Sequence, residues 1–103
     1  MRMIVLIAVL ALCAACATKP AAPDPQAARD LEMGQRVYTL HCARCHGPEG
    51  KDEAYPFIAR LDGIGKRLSP AEILEATWAS GFVSRASMNE EEQRCLGLFV
   101  ATL

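Results

Sequence analysis

The chain has 103 residues and a formal net charge of −1, with Lys and Arg scattered along it, so one domain is expected and no basic stripe points to nucleic acid. Its apolar fraction of 51% stands above the average of soluble domains, but the excess is concentrated at the start of the chain. Five cysteines in so short a sequence call for disulfide, metal or cofactor chemistry.

In chain order, Arg2 supplies a positive n-region, Met3 to Leu12 is an apolar run, and small residues follow. This reads as a secretory signal over residues 1–15, well short of the roughly 20 apolar residues of a membrane-spanning helix. A buried core helix is the alternative, and the extreme N-terminal position and small-residue exit argue against it. Leu12-Cys13-Ala14-Ala15-Cys16 resembles a bacterial lipobox with its leucine one position early, which predicts lipidation of Cys16. Acylation would remove a free thiol from an oxidising compartment, and multiple chains would anchor the protein stably. The resemblance, with Ala17 rather than Asp after Cys16, favours the outer membrane. The rival is Ala15-Cys16-Ala17 as an ordinary A-x-A cleavage site, which leaves the protein soluble in the periplasm.

Residues 16–26 hold Pro20, Pro23 and Pro25 and read as an extended, semi-rigid linker, lipid-anchored or free. The folded domain is expected over residues 27–103. A domain that small builds a sufficient core only with help from disulfides, a metal or a large cofactor. With Cys13 removed, Cys16 lipidated and Cys42 and Cys45 in one motif, Cys95 has no partner, and a disulfide framework is not expected. Cys95 is then a small buried residue on the last helix.

The spacing predicts a first helix from Ala27 to about Leu40, with Leu31, Gly34, Val37, Tyr38 and Leu40 or His41 recurring on one face. Gly34 costs about 1 kcal/mol in a helix interior, which a close crossing by another helix would justify. A short helix is expected around Phe57 to Leu61. Ser69-Pro70-Ala71-Glu72 carries a capping box and a first-turn proline; Ile73, Leu74, Thr77 and Trp78 form the apolar face, and Gly81 suits a left-handed cap. Asn89-Glu90-Glu91-Glu92 opens a last helix whose stripe is Leu96, Phe99, Val100 and Leu103. No run shows sustained strand alternation, so the class is all-α.

Cys42-Ala43-Arg44-Cys45-His46 carries the chemistry. A redox dithiol is expected beside a βαβ pattern, which this chain lacks. A structural zinc site needs four ligands, and His41, Cys42, Cys45 and His46 are packed too tightly in sequence to surround one ion. Cys-x-x-Cys-His is also the c-type haem attachment pattern, in which each thiol adds across a haem vinyl group and the histidine offers a nitrogen to iron. Export agrees with it, and haem supplies the apolar body that a small helical domain lacks.

Residues 28–103 resemble a small class I, mono-haem bacterial cytochrome c. The resemblance is carried by Gly34 and Tyr38, then Cys42-Ala43-Arg44-Cys45-His46-Gly47, Gly50, the helix ending at Gly81, Met88, and Glu91-Glu92 leading to Leu96 and Phe99. It implies a domain of three main helices wrapped around one covalently attached haem c, with Gly34 crossing Phe99. It further implies thioethers at Cys42 and Cys45, His46 as proximal iron ligand and Pro56 as the source of the backbone carbonyl that fixes the His46 tautomer, a plain turn proline being the alternative. Met88 is the implied distal ligand, although no proline follows it and the loop before the last helix is missing; packing at the helix start is the alternative. Tyr55, Trp78 and Arg85 are candidates for the haem propionates. Met33 reads as a packing residue and His41 as exposed.

The function expected on this basis is one-electron transfer without enzyme chemistry, between a periplasmic dehydrogenase as donor and an oxidase or reductase as acceptor. Such encounters are small in area, and the protein is expected as a monomer or as a dedicated cytochrome subunit of a periplasmic oxidoreductase. The alternative, if Met88 leaves iron open, is a gas-binding or sensing module.

Overall fold

The computed structural model describes residues 24–53 and 58–103. Among these residues the chain forms four α-helices and two 3₁₀ turns and no strand: α1 (Pro25–His41), α2 (Ala43–His46), a 3₁₀ turn at Ile64–Lys66, α3 (Pro70–Ser80), a second turn at Arg85–Ser87 and α4 (Glu90–Val100). The all-α expectation holds, with α1, α3 and α4 as the three main helices.

Helix α1 starts earlier than the spacing predicts. Asp24 accepts a hydrogen bond from Gln26 N at 2.9 Å, and Pro25, which has no N–H to satisfy, fills the first turn. A proline read as linker is thus part of the cap. The helix ends at Cys42, whose N–H still reaches Tyr38 O at 2.8 Å. Gly34, Val37 and Tyr38 are its buried face, whereas Leu40 is 77% exposed because it lies about 200° around the helix from Tyr38. Leu31 also sits at the solvent margin.

Helices α3 and α4 begin where their caps predict. Ser69 and Glu72 form a reciprocal capping box, as do Asn89 and Glu92, and Gly81 closes α3 at φ +75°. Helix α4 is the hub and packs on both α1 and α3. Each contact is made through a glycine. A Cβ on Gly34 would run into the Cys95 carbonyl and stand 2.6 Å from Phe99 Cβ; one on Gly97 would meet Pro70 O at 2.8 Å. The expected contact of Gly34 with Phe99 is therefore present. Cys95 and Leu96 are buried at this crossing, and the Tyr38 and Phe99 rings lie 5.4 Å apart. At its edge Asp30, 8% exposed, receives both Arg94 guanidinium nitrogens at 3.0 Å and Gln26 Nε2 at 2.9 Å.

The short helix expected around Phe57 to Leu61 is not formed over 58–61, and Phe57 lies outside the described residues. Backbone groups there bond elsewhere: Ala59 O meets the His46 ring at 2.9 Å, and Leu61 N reaches Gly50 O at 2.7 Å. The helical turn comes later, at Ile64–Lys66. No helix among the described residues is long and apolar enough to cross a membrane.

Candidate functional site

Cys42 closes α1, and α2 is the single turn that holds Ala43, Arg44, Cys45 and His46. Cys42 O accepts from Cys45 N at 3.2 Å and from His46 N at 3.1 Å, so the motif is coiled onto the end of α1. Both thiols are free and half-buried. Burial pushes the Cys42 thiol up to about 11, which keeps it protonated at neutral pH.

His46 Nδ1 lies 2.9 Å from Ala59 O. A carbonyl can only accept, so Nδ1 carries the proton and the neutral ring keeps its lone pair on Nε2. This is the tautomer a metal-binding histidine requires when its other nitrogen is tied to a backbone carbonyl. The carbonyl is that of Ala59, not of Pro56; Pro56 and Tyr55 lie outside the described residues. The turn after His46 is also held. His46 O accepts from Asp52 N at 2.9 Å, and Gly47, at φ +78°, offers its carbonyl to the Tyr38 hydroxyl at 2.6 Å. A Cβ on Gly47 would stand 2.7 Å from an Asp52 carboxylate oxygen. Burial first, then the nearby Cys42 and Asp52, raise the Tyr38 hydroxyl to about 12, so it is a donor throughout the physiological range.

Met88 is 5% exposed and shares the core with Val37, Tyr38, Ile73, Leu96 and Val100. It ends the 3₁₀ turn Arg85–Ser87 and directly precedes the Asn89 cap of α4. Gln93 Nε2 donates to its carbonyl at 3.1 Å. Half-buried apolar side chains from successive segments pack against this core: Cys42 and Ala43 from the motif, Leu61 and Ile64 from the loop, Trp78 from α3 and Val83 beyond it. Cys42 thus packs against an apolar core, Cys45 follows it in the same turn, and with Nδ1 donating to Ala59 O it is Nε2 of the His46 ring that can bind a metal. That donor set fits a covalently bound, iron-containing apolar group.

The zinc reading finds no support in the geometry. Among the described residues the grouping with metal-ligand spacing is Asp30, Glu91 and Cys95, which does not include the motif and which has the Arg94 guanidinium bonded to Asp30 and Glu91. His41 is half-buried rather than exposed, and Met33 is half-buried against the core. Arg85 Cζ lies 5.7 Å over the Trp78 ring and its guanidinium pairs with Glu75 at 3.5 Å, so these two propionate candidates do lie together. The anchors that sequence reasoning missed are Ala59 O and Asp52 N, backbone groups with no side-chain signature.

The family model for cytochrome c matches residues 31–103. The chain belongs to the cytochrome c family. No curated protein and no solved structure matches it. Membership brings one covalently attached haem c, as expected for a domain this small, and haem-based electron transfer rather than enzyme catalysis as the activity. The described part of this cytochrome c sets the Cys-x-x-Cys-His motif at the end of α1, with a loop carbonyl against its histidine.

Proposed function

We propose that the protein is a bacterial class I cytochrome c that carries single electrons in the periplasm. In this reading Cys42 and Cys45 would hold the haem as thioethers, His46 would bind iron through Nε2, and Met88 would be its second protein ligand. The observation that carries it is the His46 ring: its Nδ1–H is committed to Ala59 O, which leaves Nε2 as a ligand beside two free thiols. When bound, the haem iron supplies the one-electron couple. The chain holds the imidazole in one tautomer, keeps Met88 in an apolar core, and so favours a high potential. Trp78 and Arg85, with Arg85 lying over the Trp78 ring, would bond the haem propionates, as would Tyr55 on the sequence reading.

Residues 1–15 act as the export signal, and Cys16 is lipidated, tethering the domain to the outer membrane through the linker that precedes the Asp24 cap of α1. The partners are a periplasmic dehydrogenase as donor and an oxidase or reductase as acceptor. Two measurements test this reading. In haem-loaded protein the haem should resist acid-acetone extraction and titrate reversibly with a single electron; extractable haem would overturn it. Mass spectrometry of the mature protein should find an acylated Cys16, and an unmodified start at Thr18 would remove the anchor.

A further inference from the structure

The Tyr38 ring serves the crossing of α1 and α4: it is 1% exposed and lies 5.4 Å from the Phe99 ring. A phenylalanine would fill that space equally well. The hydroxyl is additional, and a buried hydroxyl is unfavourable unless it is bonded. It donates to Gly47 O at 2.6 Å, the carbonyl directly after His46. There the chain leaves α2 and enters the loop. Two other anchors act on His46: Ala59 O on its ring nitrogen and Asp52 N on its carbonyl, at 2.9 Å each. Both belong to the loop itself. Past His46, the Tyr38 hydroxyl ties this exit back to α1, and α1 is locked against α4 at Gly34.

We infer that the Tyr38 hydroxyl is a positioning group for His46, setting the orientation of its imidazole from the helix crossing rather than from the loop alone. The inference rests on the proposed role of His46 as iron ligand. It explains why a residue whose packing needs only a ring carries a polar atom into the core, and why that atom meets the peptide next to the ligand. It also connects two features that the fold otherwise keeps apart, the glycine-mediated crossing and the attachment motif.

The test is Tyr38→Phe in the haem-loaded protein, which keeps the ring and deletes the bond. Covalent haem and helix content should be unchanged. The hyperfine shifts of the haem methyl groups in the ferric state, which report the plane of the axial imidazole, should redistribute, and the midpoint potential should move. Unchanged methyl shifts and potential would overturn the inference, leaving the hydroxyl a purely structural role. Should the variant fail to fold, wild-type protein decides: a slowly exchanging Tyr38 hydroxyl proton close to the Gly47 α-protons supports the inference, and its absence overturns it. The ligand reading is checked separately in the same ferric spectra. If the His46 ring protons carry no hyperfine shift, that reading falls and the inference with it. If they do and Tyr38→Phe changes nothing, the inference alone falls.

Discussion

His46 and Met88 are the two proposed axial ligands, and the chain holds them by different means. Around His46 the constraints are directional: ring to Ala59 O, carbonyl to Asp52 N, and the following carbonyl to the Tyr38 hydroxyl. Around Met88 they are mostly packing: the side chain is 5% exposed among aliphatic and aromatic neighbours, and only its backbone is bonded, to Gln93 and Arg85. Directional bonds fix the orientation of a flat ring, which a ligand with one usable nitrogen needs. A thioether has no such requirement, and an unbranched, polarizable side chain adapts to the space it is given. The His46 side should therefore tolerate little chemical change, whereas the Met88 side should accept another apolar side chain as far as folding is concerned.

The largest effect is expected at the attachment end. Replacing Cys42 and Cys45 together with serine should abolish covalent attachment, so that acid-acetone removes all haem and the denatured chain loses the haem mass. Retained covalent haem would show that attachment lies elsewhere. Next comes the frame on which both sides depend. Gly34→Ala places a Cβ against the Cys95 carbonyl and Phe99 Cβ, and overpacking of this kind should lower unfolding stability in urea by about 3 kcal/mol. A loss well under 1 kcal/mol would mean that the α1–α4 crossing is looser than it looks.

The packing account of Met88 gives a pair of smaller, unequal effects. Met88→Ala should cost about 3 kcal/mol from cavity formation, and Met88→Leu less than about 1.5 kcal/mol. Equal losses by urea unfolding would mean that stability depends on sulfur chemistry more than on volume. The last prediction separates the frame from both ligand sides by pH. Arg94, then Gln26, hold the Asp30 carboxyl down to about 2. Folding therefore favours the ionised form. The stabilisation is complete above the ordinary carboxylate range and is lost as pH falls from about 4 towards 2. In Tm measured against pH, Asp30→Asn should start lower at neutral pH and lack the part of the acid fall that Asp30 carries. Parallel curves for the two proteins would contradict this.

What the sequence made legible follows the same division. The caps at Ser69 and Asn89, the Gly81 stop and the Cys-x-x-Cys-His motif are local chemistry, written in side chains a few residues apart. The Gly34 crossing is long-range, yet a glycine inside a helix marks it. The start of α1 was hidden because Pro25 serves a helix as well as a linker, and the cap was visible only with Asp24 beside it. Ala59 O and Asp52 N were hidden because backbone groups carry no residue signature. Leu40, offered with His41 for the buried face, stands three residues after Val37, yet the helix turns it outward. The partner of the Tyr38 hydroxyl was equally out of reach, since nothing in the residue names ties it to Gly47.

The central claim is that one iron is held between the well-bonded His46 and the packed Met88. The most direct test is the ferric visible spectrum of the haem-loaded protein, wild type against Met88→Leu, read at the weak far-red sulfur-to-iron band. The account predicts the band in wild type and its loss in Met88→Leu, with haem still covalent and the chain still folded. A band absent from wild type, or one that survives the substitution, would contradict it.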